Sequence, residues 1–234
     1  MWNILRFDEL DSTNAYAKRN SSLLADHTVI VAQTQTAGRG RLDRKWLSQK
    51  GGLYFSLLLK PQKTDFLPNL TQLMALAVCQ TAQNLGANAW LKWPNDVLAN
   101  GKKLCGILSQ AVTGKDGFEA LVLGCGVNVR QTDLNAAGQP AASLHTLGIE
   151  TDEESVLQTL LETFSADYEN VLQHGFETIR PDYLARFPYL GKEVLVKNGA
   201  EEIRGRAETI SPEGKLRLHT PRGFMEISIG DMMV

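Results

Sequence analysis

Residues 34 to 46 read Thr34-Gln35-Thr36-Ala37-Gly38-Arg39-Gly40-Arg41-Leu42-Asp43-Arg44-Lys45-Trp46. Glycine admits positive φ and lets backbone approach a ligand closely. Arginine brings planar, permanently charged donors that match carboxylate and phosphate. A nearby tryptophan can lie against a flat ring. Together these residues make a loop able to wrap an anionic ligand. A Gly-Arg repeat alone fits a solvated loop equally well, and a second segment shifts the weight. It runs Leu91-Lys92-Trp93-Pro94-Asn95-Asp96 and continues in Lys103-Leu104-Cys105-Gly106-Ile107-Leu108. Ser12-Thr13-Asn14 adds three consecutive hydroxyl or amide side chains just before a helical pattern. One of them suffices as an N-cap, and the free amides of the first turn suit polar or anionic ligand atoms. Leu123-Gly124-Cys125-Gly126-Val127-Asn128 places glycines inside a strand pattern, where they weaken the strand and mark close approach of a ligand or another backbone.

If these segments converge, they supply many cations, several neutral hydrogen-bonding groups, one acid at Asp96 and aromatic plates. The sequence offers no Ser-His-Asp or Cys-His arrangement and no paired carboxylates. Covalent hydrolysis and glycosidase chemistry are therefore disfavoured. A cation-rich site with a single acid suits reaction at a phosphorus centre, where catalysis is mostly positioning and neutralisation of spreading negative charge.

The elements that must position these residues follow from pattern. Strands are expected over 2–8, 28–35, 53–60, 89–93 and 118–129, with Asn100-Gly101 turning a hairpin between Val97-Leu98-Ala99 and an arm from Lys103 to Val112. A helix is expected over 69–86, with Leu70, Leu73, Met74, Ala77, Val78, Ala82 and Leu85 on one face. A long helix opens at Asp152-Glu153-Glu154 and ends at Gly175. A shorter one spans 176–187, bent or restarted near Pro181. Gly114 to Gly117 turns the chain, and 131–148 is loop-like. From Lys192 onward, short strands split by turn residues read as a small β-barrel module. A domain boundary falls near 188–190. The first domain mixes antiparallel hairpins with helices, an α+β layer with one face covered.

The chain has 234 residues, room for one sizeable core plus a small second domain. A net charge of −2 excludes a surface built as a general nucleic-acid or membrane magnet. Against that background, four cations between Gly38 and Trp46 are a local feature. Cys79, Cys105 and Cys125 are odd in number and lack Cys-x-x-Cys spacing, which argues against a disulfide framework or thiolate zinc site. The four histidines are scattered without ligand spacing. The N-terminus lacks signal-peptide character and no apolar run is long enough to span a bilayer, so a reduced, cytoplasmic location is expected.

Taken in order and spacing, Ser12-Thr13-Asn14, Gln35 through Trp46, Lys92 through Asp96, Lys103 through Leu108 and Gly124 through Asn128 closely resemble the motif series of biotin protein ligases. The resemblance covers essentially the whole chain. It implies an α+β catalytic domain over 1–188, a mixed, largely antiparallel sheet with helices of class II aminoacyl-tRNA synthetase-like type. An SH3-like barrel over 189–234 would follow it. It also implies a two-step ligation. Biotin and MgATP form biotinyl-5′-adenylate and pyrophosphate. The acyl group then passes to a lysine of a biotin carboxyl carrier protein of acetyl-CoA carboxylase, releasing AMP. Mg²⁺ would arrive with ATP, without a protein metal site.

Carried over by position, Ser12, Thr13, Asn14 and Gln35 would hold biotin, with Thr13 and Gln35 facing its ureido end. Arg39, Gly40 and Arg41 would close over biotin and adenylate, and Trp46 would cover the adenine side. Lys103 would contact both biotin's carboxylate and the α-phosphate. Asn95 and Asp96 would serve nucleotide, metal or incoming lysine. Gly124, Gly126 and Asn128 would line the adenylate. Lys103, Arg41 and Asp96 are the residues expected to carry the chemistry.

Many family members have glycine where this loop has Asp43, which bears on loop flexibility and charge. Some carry an N-terminal DNA-binding domain and act as repressors; with Ser12 almost at the start, an enzyme without operator binding is expected. Dimers through an edge strand occur in the family, and the sequence does not decide between monomer and homodimer. The rival readings are a lipoate or octanoate ligase on a related fold, a non-enzymatic biotin sensor, and an RNA-binding protein.

Overall fold

The computed structural model describes residues 1–115, 117–134 and 138–233. The turn expected through Asp116, the middle of the 131–148 loop and the side chain of Asp43 lie outside the described residues. Seven strands form the first sheet: β1 (Asn3–Leu10), β2 (Thr28–Gln35), β3 (Gly52–Leu59), β4 (Ala89–Lys92), β5 (Asp96–Ala99), β6 (Lys102–Gly114) and β7 (Gly117–Asn128). Their order is β1-β2-β3-β7-β6-β5-β4. β1 runs parallel to β2, and every other pairing in this sheet is antiparallel. The sheet is therefore mixed. β1 and β2 are joined through α1 (Thr13–Arg19), since a parallel pair needs a crossover longer than a hairpin turn.

Side chains alternate across a strand, and that alternation separates the core from the site. Leu53, Phe55, Leu57 and Leu59 of β3 join Leu121, Leu123, Cys125 and Val127 of β7 in the main core. That face is covered by α2 (Leu67–Asn84) and, beyond it, α3 (Glu153–His174). The alternate residues, Ser56 and Leu58 on β3 and Val122, Gly124 and Gly126 on β7, point to the other face. There Ala17 of α1 packs on Ile30, Leu58, Ala120 and Val122. Beyond α1 the sheet surface holds small and polar residues.

α2 begins two residues earlier than its apolar stripe suggested, because Pro68 fits the first turn, where no amide partner is required. Of the two forms expected for the helix over 176–187, bent or restarted near Pro181, the structure has the restart: a 3₁₀ turn at Phe176–Thr178 followed by α4 (Arg180–Ala185), which Pro181 begins. Gly175, at φ +78, ends α3 as expected.

The second sheet is antiparallel, in the order β11-β10-β9-β8-β12, from β8 (Glu193–Asn198), β9 (Glu201–Ile210), β10 (Leu216–Thr220), β11 (Gly223–Ile227) and β12 (Asp231–Met233). This is the small SH3-like module; its last strand, three residues long, was not foreseen. The module is joined to α2 and to Trp93, just past β4, by polar contacts, two of them buried. Trp93 Nε1 and Gln72 Nε2 donate to the Gly214 carbonyl at 3.0 and 2.7 Å, and Asn69 Nδ2 donates to the Glu213 carbonyl. Among the described residues no helix is long and apolar enough to cross a membrane.

Candidate active site

The open sheet face carries a cavity of about 90 Å³. Thr13, Gln35, Arg41, Trp46, Asp96 and Lys103 are among the residues that line it. Its wall is built from the start of α1. Ser12 caps that helix, its hydroxyl accepting from the Ala15 amide. Gln35 Oε1 accepts from the Thr13 amide at 2.8 Å and from the Thr13 hydroxyl at 3.2 Å. Gln35 Nε2 donates to Ser48 Oγ at 2.8 Å. Asn14 Nδ2 donates to the Leu108 carbonyl and to Gln110 Oε1. Beneath them, fully buried Ser56 lies 2.8 Å from Thr13 Oγ1 and 2.6 Å from Asn14 Oδ1. The wall is neutral, mostly buried and hydrogen-bonded before any ligand arrives.

The floor is bare sheet. Gly106 on β6 is the register partner of Gly126 on β7. A Cβ on Gly126 would stand 2.5 Å from Trp46 Nε1, and one on Gly106 would stand 3.0 Å from the same indole. A Cβ on Gly124 would stand 2.0 Å from Asn14 Oδ1. These three strand glycines exist because the wall and Trp46 lie directly on the backbone. The Trp46 ring rests on the floor with a buried Nε1 that has no hydrogen-bond partner, a donor available to a ligand acceptor.

The charged side is the Arg39–Lys45 loop with the β4–β6 corner. Backbone bonds close the loop: Gly40 N to Arg44 O at 2.7 Å and Trp46 N to Gly38 O at 2.9 Å. Lys103 Nζ pairs with Asp96 Oδ1 at 2.9 Å and stands 5.4 Å from the centroid of the Trp46 ring. Arg41 Nη1 donates to Asn95 Oδ1 at 2.9 Å, and Asn95 Nδ2 donates to the Ile107 carbonyl. Lys92 adjoins this cluster; burial pulls its pKa below the usual lysine value, partly opposed by the Asp96 carboxylate. Cations and acids thus interleave where a phosphate-bearing ligand would need charge.

Thirteen of the fourteen site residues named from the sequence line this one cavity: Ser12, Thr13, Asn14, Gln35, Arg39, Gly40, Arg41, Trp46, Asn95, Asp96, Lys103, Gly124 and Gly126. Asn128 does not. It is buried, and its amide donates to the carbonyls of Lys103 at 3.3 Å and Ala142 at 3.1 Å. Its geometry is that of a brace beneath the Lys103 backbone. The sequence reading missed Ser56 and Asp231. Ser56 was signalled only as the one small polar residue in the run 53–59. Asp231 reaches the cavity from β12, and no local pattern announces that.

The family model for the biotin/lipoate A/B protein ligase family matches residues 6–128, and that for the biotin protein ligase C-terminal domain matches 189–233. The Bacillus subtilis bifunctional ligase/repressor BirA is 34% identical over 98% of this chain and 73% of its own length. The Paracoccus denitrificans biotin–[acetyl-CoA-carboxylase] ligase is 33% identical over 95% of this chain and 96% of its own. Among solved structures, the Aquifex aeolicus biotin protein ligase in complex with biotin and ATP superposes with a TM-score of 0.88 at 32% identity, covering 100% of this chain and 98% of that one.

Proposed function

The chain belongs to the biotin/lipoate A/B protein ligase family, and from that premise we propose that it is an ATP-dependent, AMP-forming biotin protein ligase. Biotin and MgATP would give biotinyl-5′-adenylate and pyrophosphate, and the acyl group would pass to a lysine of the biotin carboxyl carrier protein of acetyl-CoA carboxylase. The observation that carries the reading is convergence: a neutral hydrogen-bonding wall and a cationic rim share one cavity over a glycine floor.

The division of labour follows from chemistry. A carboxylate attacking an α-phosphate brings two anions together, and cations must offset that repulsion. Lys103 and Arg41 are the cations assigned to that task. Thr13, Asn14 and Gln35 suit a neutral ureido group, with Ser12 capping the helix beside them. Arg39, Gly40 and Trp46 belong to the covering loop, and Asn95 and Asp96 to the nucleotide side. Gly124 and Gly126 give the adenylate a flat bed. Mg²⁺ enters with ATP as part of the substrate. The proposed domain division stays at 188/189. The match of residues 189–233 to a biotin protein ligase domain supports biotin over lipoate as substrate. Parallel incubations with MgATP, one of biotin with a biotin carrier domain and one of lipoate with a lipoyl domain, read by mass, test the reading. A biotinyl adduct on one lysine of the first carrier is expected; an unmodified biotin carrier alongside a lipoylated lipoyl domain would overturn it.

A further inference from the structure

The arginine loop is fastened on its far side to the barrel. Arg41 Nη1 donates to the Gly230 carbonyl at 3.2 Å and lies 3.6 Å from Asp231 Oδ1. Arg44 Nη2 pairs with Asp231 Oδ2 at 2.5 Å. One carboxylate thus meets two guanidiniums of the loop. The carboxylate and Arg41 are sheltered, 14% and 19% exposed, whereas the Arg44 side chain is 65% exposed. Exposed ion pairs are worth little, so the sheltered Arg41 side carries most of the hold. The carboxylate is also held in place. β12 is zipped to β8, with Asp231 opposite Lys197. Gly230 adopts φ +155, and a Cβ there would stand 2.5 Å from Val196. Asp231 lines the cavity itself.

We infer that Asp231 is a positioning residue that staples the arginine loop to the barrel and so retains the activated acyl-adenylate until transfer. The inference rests on the proposed adenylate-forming reaction. Asn95 and the Gly230 carbonyl also hold Arg41, and the Asp231 carboxylate adds a tie that reaches both Arg41 and Arg44, so the loop opens more readily when that carboxylate is lost. Two guanidiniums against one carboxylate leave positive charge over for a phosphate, so the staple does not consume the site's cations.

The test measures release of preformed biotinyl-adenylate under a chase of unlabelled ligand, together with the rate of pyrophosphate formation. In Asp231→Asn, release is expected to be about tenfold faster, while pyrophosphate formation changes far less. Asp231→Glu should recover part of the lifetime. Arg44→Gln alters a side chain that is 65% exposed and so keeps the fold, and it should also quicken release. Combined with Asp231→Asn it should add little, because both break one contact. Glu226→Gln, on β11 at the other edge of the sheet and only loosely paired to Lys215 at 3.9 Å, should retain the adenylate like wild type. Adenylate held as long in Asp231→Asn and Arg44→Gln as in wild type would overturn the staple. So would single effects that multiply in the double variant. No adenylate from the wild type would overturn the functional reading and the staple with it, a result distinct from retained adenylate in the variants.

Discussion

The two sides of the cavity are built by opposite means. The wall around Thr13, Asn14, Gln35 and Ser56 is neutral and largely buried, and its hydrogen bonds are closed within the fold. The rim around Arg41, Arg44, Lys103 and Asp96 is charged, and ion pairs link it to other elements, one of them in the barrel. A preformed neutral wall recognises a neutral group without moving. A charged rim can turn Lys103 from Asp96 to a phosphate while Asp231 keeps its hold on Arg41 and Arg44. The contrast assigns selection of the acyl substrate to the wall and activation and retention to the rim.

Substitutions should separate the two sides. The largest effect is expected at the rim: Lys103→Ala should lower the rate of adenylate formation by roughly 10²–10³-fold, and a near-normal pyrophosphate burst would remove Lys103 from the chemistry. Arg41→Gly comes next. It should leave biotin binding largely intact while adenylate escapes roughly thirtyfold faster or more, as expected when one partner of a sheltered charge contact is removed; unchanged retention would count against the loop. On the wall, Ser56→Ala removes the partner of two buried polar groups. Stability should fall by about 1–3 kcal/mol, biotin should bind more weakly, and adenylate release should be little changed. Equal effects of Ser56→Ala on binding and release would blur the two sides. The mildest probe is salt. Raising ionic strength should shorten adenylate lifetime severalfold through screening of the rim and weaken biotin affinity less, since only biotin's carboxylate meets the rim while its ureido end lies on the uncharged wall.

The same contrast explains what could be read from sequence. The rim was legible because arginines, glycines and a tryptophan in one loop declare their chemistry locally. The floor was legible because Gly124 and Gly126 stand out within a strand. The wall was half legible. Ser12-Thr13-Asn14 announced a helix start, but the role of Ser56 depends on which face of β3 meets α1, a tertiary fact. Asn128 shares a strand with the floor glycines and was read as part of the floor. Its amide is instead taken up by the carbonyls of Lys103 and Ala142, a contact set by a loop distant in sequence. Asp231 sits on a three-residue strand whose partner, β8, lies more than thirty residues earlier.

Burial also shapes the thiols. Desolvation pushes the Cys79 pKa up to about 12 and raises that of Cys105, whose sulfur lies 3.6 Å from that of Cys125. All three are buried and unbridged. A thiol whose pKa is raised stays protonated and unreactive at neutral pH. Iodoacetamide should therefore modify the native protein slowly and the denatured protein fully; fast labelling of the native chain would contradict this packing.

The central claim is that one cavity couples an acyl carboxylate to AMP. Its most direct test is pyrophosphate release from MgATP by the purified chain with biotin, with octanoate, and with neither. Release that requires biotin, with biotinyl-adenylate recovered on the protein, is the predicted result; release that ignores biotin, or that octanoate supports equally well, would contradict it.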